Sequence, residues 1–325
     1  MRQRPNVWLS LLDDVESSVK RLFPVLSLAV ALSGCTAFGQ LQPQERESAA
    51  MRIMQAGGQA EGLQDLVVPA AALEDRASLA AAAQAALVQE LAPFNVDRAE
   101  PVSYPLQAAF MTASGRTDPA LHSRAGIGLI AWLPASQAED ELTAQLAWSE
   151  TVEQAAARAL PEGYETQPFE WIDISADGEK SAHRILRVQG PLCLDWSCVL
   201  DGAFTSREDP TLSLSGKMQR VPTPEVAGHV EAESYAPLQS NYLTVRRLTA
   251  QYLEVGNGES QEYRMDTQPL AEFDVEAFYP RLSAELPKWA SIFVGSENPL
   301  YEPVVPLVLH QGEELFFAVP KAGCR

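Results

Sequence analysis

Only one stretch of this 325-residue chain raises the question of a membrane: the eleven residues from Leu22 to Leu32, between Lys20-Arg21 and Ser33-Gly34-Cys35. A helical span needs about twenty apolar residues, and Pro24 stands inside the run. A basic pair, a short apolar core and then small residues is the order of a secretion signal, not of a transmembrane helix. No second run of this kind follows. The remainder must therefore hide its apolar residues in a core of its own, and 46% hydrophobic with 21% charged residues is the balance of a globular protein.

The end of the signal, Leu32-Ser33-Gly34-Cys35, resembles the lipobox of bacterial lipoproteins. The resemblance implies that Cys35 is diacylated on sulfur, that the peptide is cut before it, and that the new amine is acylated in turn. A membrane, reached through this lipid, is then the first expected partner. Thr36 follows, not the aspartate that retains lipoproteins at the inner membrane. The resemblance thus implies the outer membrane of a Gram-negative bacterium, at its periplasmic face. Asp13, Asp14 and Glu16 are unusual ahead of a basic pair, and translation from Val19 instead of Met1 would remove them. Residues 1–34 are read as signal peptide, which leaves 291 residues for one large domain or two ordinary ones.

The charge balance narrows the partners. The whole chain carries net −19, and residues 1–34 hold four basic and three acidic side chains, so the remainder is −20. A nucleic acid or an anionic lipid surface would be repelled by such a field. Lysines are few (Lys20, Lys180, Lys217, Lys288 and Lys321), a surface chemistry suited to salt.

Cys193, Cys198 and Cys324 remain once Cys35 is assigned to lipid. An oxidising compartment favours pairing. Cys193 and Cys198 close the smallest loop and are the first choice, with Cys324 free or paired between chains. Bridges from Cys324 to either of the others stay open. The spacing lacks a Cys-x-x-Cys pair, so neither these thiols nor His310 predicts a zinc site, and no metal is expected.

Composition and periodicity predict an α+β fold, with antiparallel or mixed sheets and packed helices. Residues 35–62, rich in Gln, Glu, Gly and Ala, read as a flexible tether. Residues 63–221 read as an α+β domain, and residues 222–325 as a second unit or a continuation of it, divided at Pro222, Pro224 and Gly228. Ala70 to Ala92 predicts one helix stopped by Pro93. Ser136 to Glu139 reads as a capping box that opens a helix to Ala159. Strands are expected at 127–133, at 169–174 with a bulge at Trp171-Ile172, at 183–188, around Leu212 to Met218, and at 289–294. Hairpins are expected around Gly256-Asn257-Gly258 and Gln311-Gly312, with a helix near Pro280 to Leu286 whose first turn holds the proline. Ala159-Leu160-Pro161 before one strand and Glu285-Leu286-Pro287 before another are an echo that two related α+β units, or chance, would produce.

No nucleophile elbow, zincin, phosphate-loop or dinucleotide motif occurs, and no cofactor is expected. Glu170, Trp171, Asp195 and Trp196 are the one grouping with chemical character: carboxylates beside indole faces suit a sugar. Core packing of both tryptophans is the commoner explanation. The expected function is a lipid-anchored envelope lipoprotein, a non-enzymatic scaffold or binder of an envelope protein or the cell wall. The alternatives are a periplasmic cell-wall or polysaccharide hydrolase using paired carboxylates, and an immunity-type inhibitor of a basic toxin.

Overall fold

A computed structural model describes residues 47–60, 63–91, 127–175, 177–238, 243–255, 261–270, 272–295 and 306–321. All of them belong to one compact unit, Pro43–Gly323. The signal peptide, Cys35 and Cys324 lie outside the described residues. No described helix is long and apolar enough to cross a membrane.

The fold is α+β. Helix α1 (Ala49–Ala56) leads to a short strand β1 (Leu66–Val68) and helix α2 (Arg76–Leu91). Strands β2 (Ile127–Ala131) and β3 (Leu133–Pro134) precede helix α3 (Glu141–Ala159). A meander of β4 (Glu165–Ile174), β5 (Lys180–Gly190) and β6 (Cys193–Gly202) follows, then β7 (Met218–Pro222), β8 (Glu233–Pro237), β9 (Leu243–Val255) and β10 (Gln261–Pro269). Helix α4 (Val275–Glu285) opens a second meander of β11 (Ala290–Val294), β12 (Leu307–His310) and β13 (Glu313–Phe316), and β14 (Ala318–Pro320) closes the chain.

The strands form an antiparallel five-stranded sheet in the order β10-β9-β6-β5-β4, a four-stranded sheet β13-β12-β11-β2, a three-stranded sheet β3-β8-β7, and a parallel pair β1-β14. Helices α3 and α4 pack on each other and close one core with the sheets. At its centre Trp148 of α3 is fully buried against Trp289, ring centroids 5.6 Å apart. Leu186 and Leu200 come from the five-stranded sheet, Leu129, Ile292 and Leu309 from the four-stranded one. The Tyr279 hydroxyl of α4 donates to the Leu243 carbonyl of β9 at 2.9 Å, and burial pushes the phenol far above its usual range. The echo between halves has a structural counterpart. Each helix ends on a capping leucine in extended conformation, Leu160 or Leu286, and each is followed by a three-stranded meander.

Several sequence expectations are corrected. The part of the expected tether around residues 49–56 is a docked helix. Its Ser48 cap accepts from the Met51 amide at 3.0 Å and is held by Asp65. Ala50, Met51, Ile53 and Met54 lie buried against Ile130, Trp132, Val308 and Phe317. A stripe two turns long suffices to dock a helix that mean composition reads as polar. The stretch from Ala70 is a 3-10 turn, Ala70–Leu73, and then α2, because Asp75 takes the Ser78 amide at 2.8 Å and starts a new helix. Helix α3 is capped not by Ser136 but by Asp140, in a reciprocal box with Thr143; the Ser136 hydroxyl instead bonds Glu231 at 2.5 Å. Pro280 sits inside α4, whose cap is Asp274. The strand expected from Leu212 begins at Met218. Near Pro222, where a second unit or a continuation of the same domain is expected, the chain passes through the β7–β8 hairpin, in which Pro222 pairs with Glu233. No bulge interrupts Trp171-Ile172, since β4 pairs with β5 in continuous register from Glu165 to Ile174.

Candidate functional site

The four residues singled out in sequence do not come together. Strand alternation sends Glu170 and Trp171 to opposite faces of the five-stranded sheet. Asp195 and Trp196 lie at the far end of β5. Glu170 pairs with Arg184, and Cys193 pairs with Gly190, six residues further along; at about 3.4 Å per residue that is roughly 20 Å.

Glu170 faces the core and is fully engaged. One oxygen pairs with Arg184; the other accepts from the Ser206 hydroxyl at 2.8 Å, the Arg207 amide at 2.9 Å and the Glu208 amide at 3.2 Å. Arg184, only 3% exposed in its side chain, also binds Glu153 of α3 at 2.6 Å. The cluster ties helix, sheet and the 206–208 loop together. Both oxygens are engaged in holding the fold, which makes Glu170 a structural group and a poor candidate for acid-base work.

Trp171 faces the other way, in a row of aromatic and polar side chains. Its ring stacks on His183 (centroids 5.0 Å apart, planes 18° apart) and lies 5.7 Å from Phe169. The Arg187 guanidinium sits 4.4 Å from the Phe169 centroid. His183 Nε2 is 3.0 Å from the Ser181 hydroxyl and 3.4 Å from an Asp173 oxygen. Serine, histidine and aspartate here do not make a catalytic relay. A relay needs the hydroxyl on one ring nitrogen and the carboxylate on the other, whereas both contact Nε2. Asp201, paired with Thr244 on the same face, has its carboxyl held above the usual range, first by loss of solvation and against the pull of the Arg246 guanidinium. Arg246 is itself fixed by Thr267 at 2.5 Å. Sequence reasoning missed His183, Arg187, Asp201 and Arg246. Their signal was parity: once β4 is placed, every second residue of its neighbours shares the face of Trp171. The face combines flat apolar rings with hydrogen-bonding groups, the recognition chemistry of a polyhydroxylated or amide ligand.

Cys193 and Cys198 form the disulfide, Cα atoms 5.3 Å apart. The register explains the bridge. Gly190 pairs with Cys193 and Val188 with Cys198, so Leu194 to Ser197 bulge from β6 opposite the single residue Gln189. Asp195 (φ 52°) and Trp196 (φ 59°) are both left-handed, a conformation that costs non-glycine residues of order 1 kcal/mol each. The bridge clamps the base of this loop. Gly190 lies so close to the Tyr164 ring that a Cβ would come within 2.3 Å of it. Leu194 is 70% exposed, and Leu192 beside the loop 37%.

Among the described residues no group of histidine, cysteine, aspartate and glutamate side chains is arranged to hold a metal ion. Comparison with known protein families, with curated proteins and with solved structures finds no match to this chain.

Proposed function

We propose that the chain is a lipid-anchored envelope protein, held through Cys35 at the periplasmic face of the outer membrane of a Gram-negative bacterium, and that its α+β domain is a non-catalytic binding or scaffold module. The observation that carries the reading is the Cys193–Cys198 disulfide, a bond that persists in oxidising compartments and is rare in reducing ones. It agrees with the Leu32-Ser33-Gly34-Cys35 signal, which rests on different residues. The binding half of the reading is supported by two features: the aromatic-polar face around Trp171, suited to cell-wall sugar or peptide, and the clamped loop, where Leu192 and Leu194 offer an apolar tip to an envelope protein. A hydrolase acting through Glu170 is disfavoured, because that carboxylate is bound on both oxygens. Docking of the chain from Ser48 onward also limits reach. Twelve residues lie between Cys35 and Ser48, and the thirteen steps from one to the other span at most about 45 Å when fully extended, so the domain would work close to its membrane.

The test is metabolic labelling with palmitate, followed by membrane fractionation. Label should enter the wild-type chain, be absent from Cys35→Ser, and sediment with the outer membrane. Equal labelling of Cys35→Ser, or recovery of the wild-type protein in the inner membrane, would overturn the assignment. Purified protein should release nothing from cell-wall sacculi; release that vanishes in Asp195→Asn would replace a binding role with a hydrolytic one.

A further inference from the structure

The large apolar side chains exposed among the described residues are Val67, Leu192, Leu194, Leu214, Val230 and Leu238. Single exposed leucines are ordinary on a protein surface. Leu192 and Leu194 differ. They stand two residues apart at one end of the β5–β6 hairpin, and that end is fixed in three ways.

Gly190 pairs with Cys193, so Pro191 and Leu192 are the central residues of a hairpin turn. Proline at the first of these positions sets its φ in advance. The Cys193–Cys198 bridge, buried at both ends, then ties off the bulge from Leu194 to Ser197. Beneath both, Gly190 is pressed against the Tyr164 ring, which packs edge-on to the core residue Phe273 with centroids 6.0 Å apart. Turn and bulge therefore stand on the core through a contact that leaves no room for a side chain at residue 190.

Within the bulge the backbone is strained. Asp195 and Trp196 hold φ of 52° and 59°, a region that a bulky residue such as tryptophan enters only under constraint. The side chains of Leu194 and Asp195 do not offset that strain. Leu194 is 70% exposed. Asp195 is exposed too, and it makes no hydrogen bond or ion pair among the described residues. Strain of this kind concentrates where function uses the resulting shape. The freedom that a binding loop ordinarily loses on docking is here lost already in folding, which favours tight association.

The chemistry of the tip selects its partner. Two leucines make it apolar, and one free carboxylate stands directly beside Leu194. A bilayer would accept the leucines but would desolvate Asp195 with them. A second copy would bring together two chains of net −19, each with the same free acid at the contact. A pocket that is apolar inside and basic at its rim satisfies the leucines and the carboxylate together, and the field of the whole chain draws a basic protein toward it.

We infer that the loop from Pro191 to Ser197 is a preformed docking tip, which places Leu192 and Leu194 in an apolar pocket of a basic envelope protein while Asp195 pairs with a lysine or arginine at the pocket's rim. The inference rests on the binding role proposed above and names the partner's chemistry for one of its two surfaces.

The probe is the photoreactive amino acid benzoylphenylalanine, introduced as Leu194→benzoylphenylalanine in the full-length protein and irradiated in intact cells. Mass spectrometry of the adduct should identify a protein of net positive charge. Its yield should fall about tenfold when Asp195→Lys is added, and about threefold with Asp195→Asn, which removes the charge yet suits left-handed backbone. Leu214→benzoylphenylalanine, at an equally exposed leucine outside the loop, should not capture that protein. Replacing Cys193 and Cys198 by serine should lower the yield about threefold or more, because the loop must then be ordered on docking. The inference is overturned by an adduct with lipid alone, with a second copy alone or with an acidic protein, by the absence of any adduct, or by equal yields with Asp195→Lys. Those results leave palmitate labelling at Cys35 and ligand binding at the Trp171 face untouched, so the tip can fail while the proposed function stands. Loss of labelling at Cys35 in the wild type would instead remove the envelope assignment and leave the dependence on Asp195 to be read as before.

Discussion

The two faces of strands β4 and β5 use the same residue types for opposite ends. On the core face, Glu170, Arg184 and Glu153 form a closed network in which each charge has a partner and one carboxylate also collects a hydroxyl and two backbone amides. On the other face, His183 and Arg187 lie against the Trp171 and Phe169 rings with Asp173 beside His183, and Asp201 and Arg246 follow on the next strands, where the ionisation of Asp201 is opposed by its surroundings. The core face spends its charges on holding helix to sheet. The Trp171 face keeps Asp201, an acid at the surface whose carboxyl is held above its usual range and which takes no part in a closed network like that of Glu170. Adjacent residues in one strand thus belong to different jobs, divided by nothing more than the two-residue period of the pleat.

The largest effect should come from the core face. Glu170→Ala strands the buried Arg184 guanidinium with Glu153 alone and unties the 206–208 loop. Removing one partner of a buried pair costs about 3 kcal/mol or more, read as a lower urea midpoint at unchanged slope. A loss under about 1 kcal/mol would mean that the network is no more than surface charge pairing, and the comparison would fail on its stronger side.

Next in size is the disulfide. Replacing Cys193 and Cys198 by serine frees a loop whose closure entropy, for so few residues, corresponds to about 2 kcal/mol. The loss should be accompanied by relaxation of Asp195 and Trp196 from left-handed backbone, seen as new amide chemical shifts confined to residues 190–198. Shifts that spread through the Trp171 face would show that clamp and face form one site, not two.

Trp171→Ala should cost less, about 1.5 kcal/mol, because the ring is half-buried and its stack on His183 is worth only that order beyond area. Thermal melts of Trp171→Ala and Glu170→Ala side by side test the comparison directly. If the tryptophan costs more than the glutamate, the outer face is a second core and not a recognition surface.

How much of this was legible in sequence follows from the range of each signal. Helix α3, the β12–β13 hairpin and the Cys193–Cys198 bridge rest on neighbours within one turn or loop, and local patterns announce them; Gly256-Asn257-Gly258 lies outside the described residues, and the strands on either side of it, β9 and β10, pair antiparallel. The docking of α1 was hidden, because Met51, Ile53 and Met54 look unremarkable among Gln and Gly and gain their meaning only from Trp132 and Phe317 far along the chain. The Asp140 box lost to the more familiar Ser136 pattern because Ser136 finds a distant partner in Glu231. Glu170 and Trp171 were grouped as sequence neighbours, although a correct strand assignment already implies that they part. Asp195-Trp196 sits in a clamped bulge, and bulges shift register in ways that only pairing reveals.

The smallest effect should have the opposite sign to the first. The folded protein holds the Asp201 carboxyl above its usual value of 3.8, chiefly through loss of solvation. A carboxylate raised in this way binds its proton more tightly in the folded state than in the unfolded one. Its contribution to stability is therefore complete below the unfolded value and declines as pH rises through the folded one. Asp201→Asn removes that decline. The variant should match wild type near pH 3.5, exceed it modestly at pH 7, and show a flatter stability profile between, measured by urea titration at each pH. The Arg246 guanidinium limits the gain, since it attracts the charged form. Arg246→Gln should steepen the wild-type decline, and the double variant should be flat again. If Asp201→Asn is instead less stable at pH 7, then Asp201 and Arg246 are a stabilising pair like Glu170 and Arg184, and the two faces of the sheet do not differ in kind.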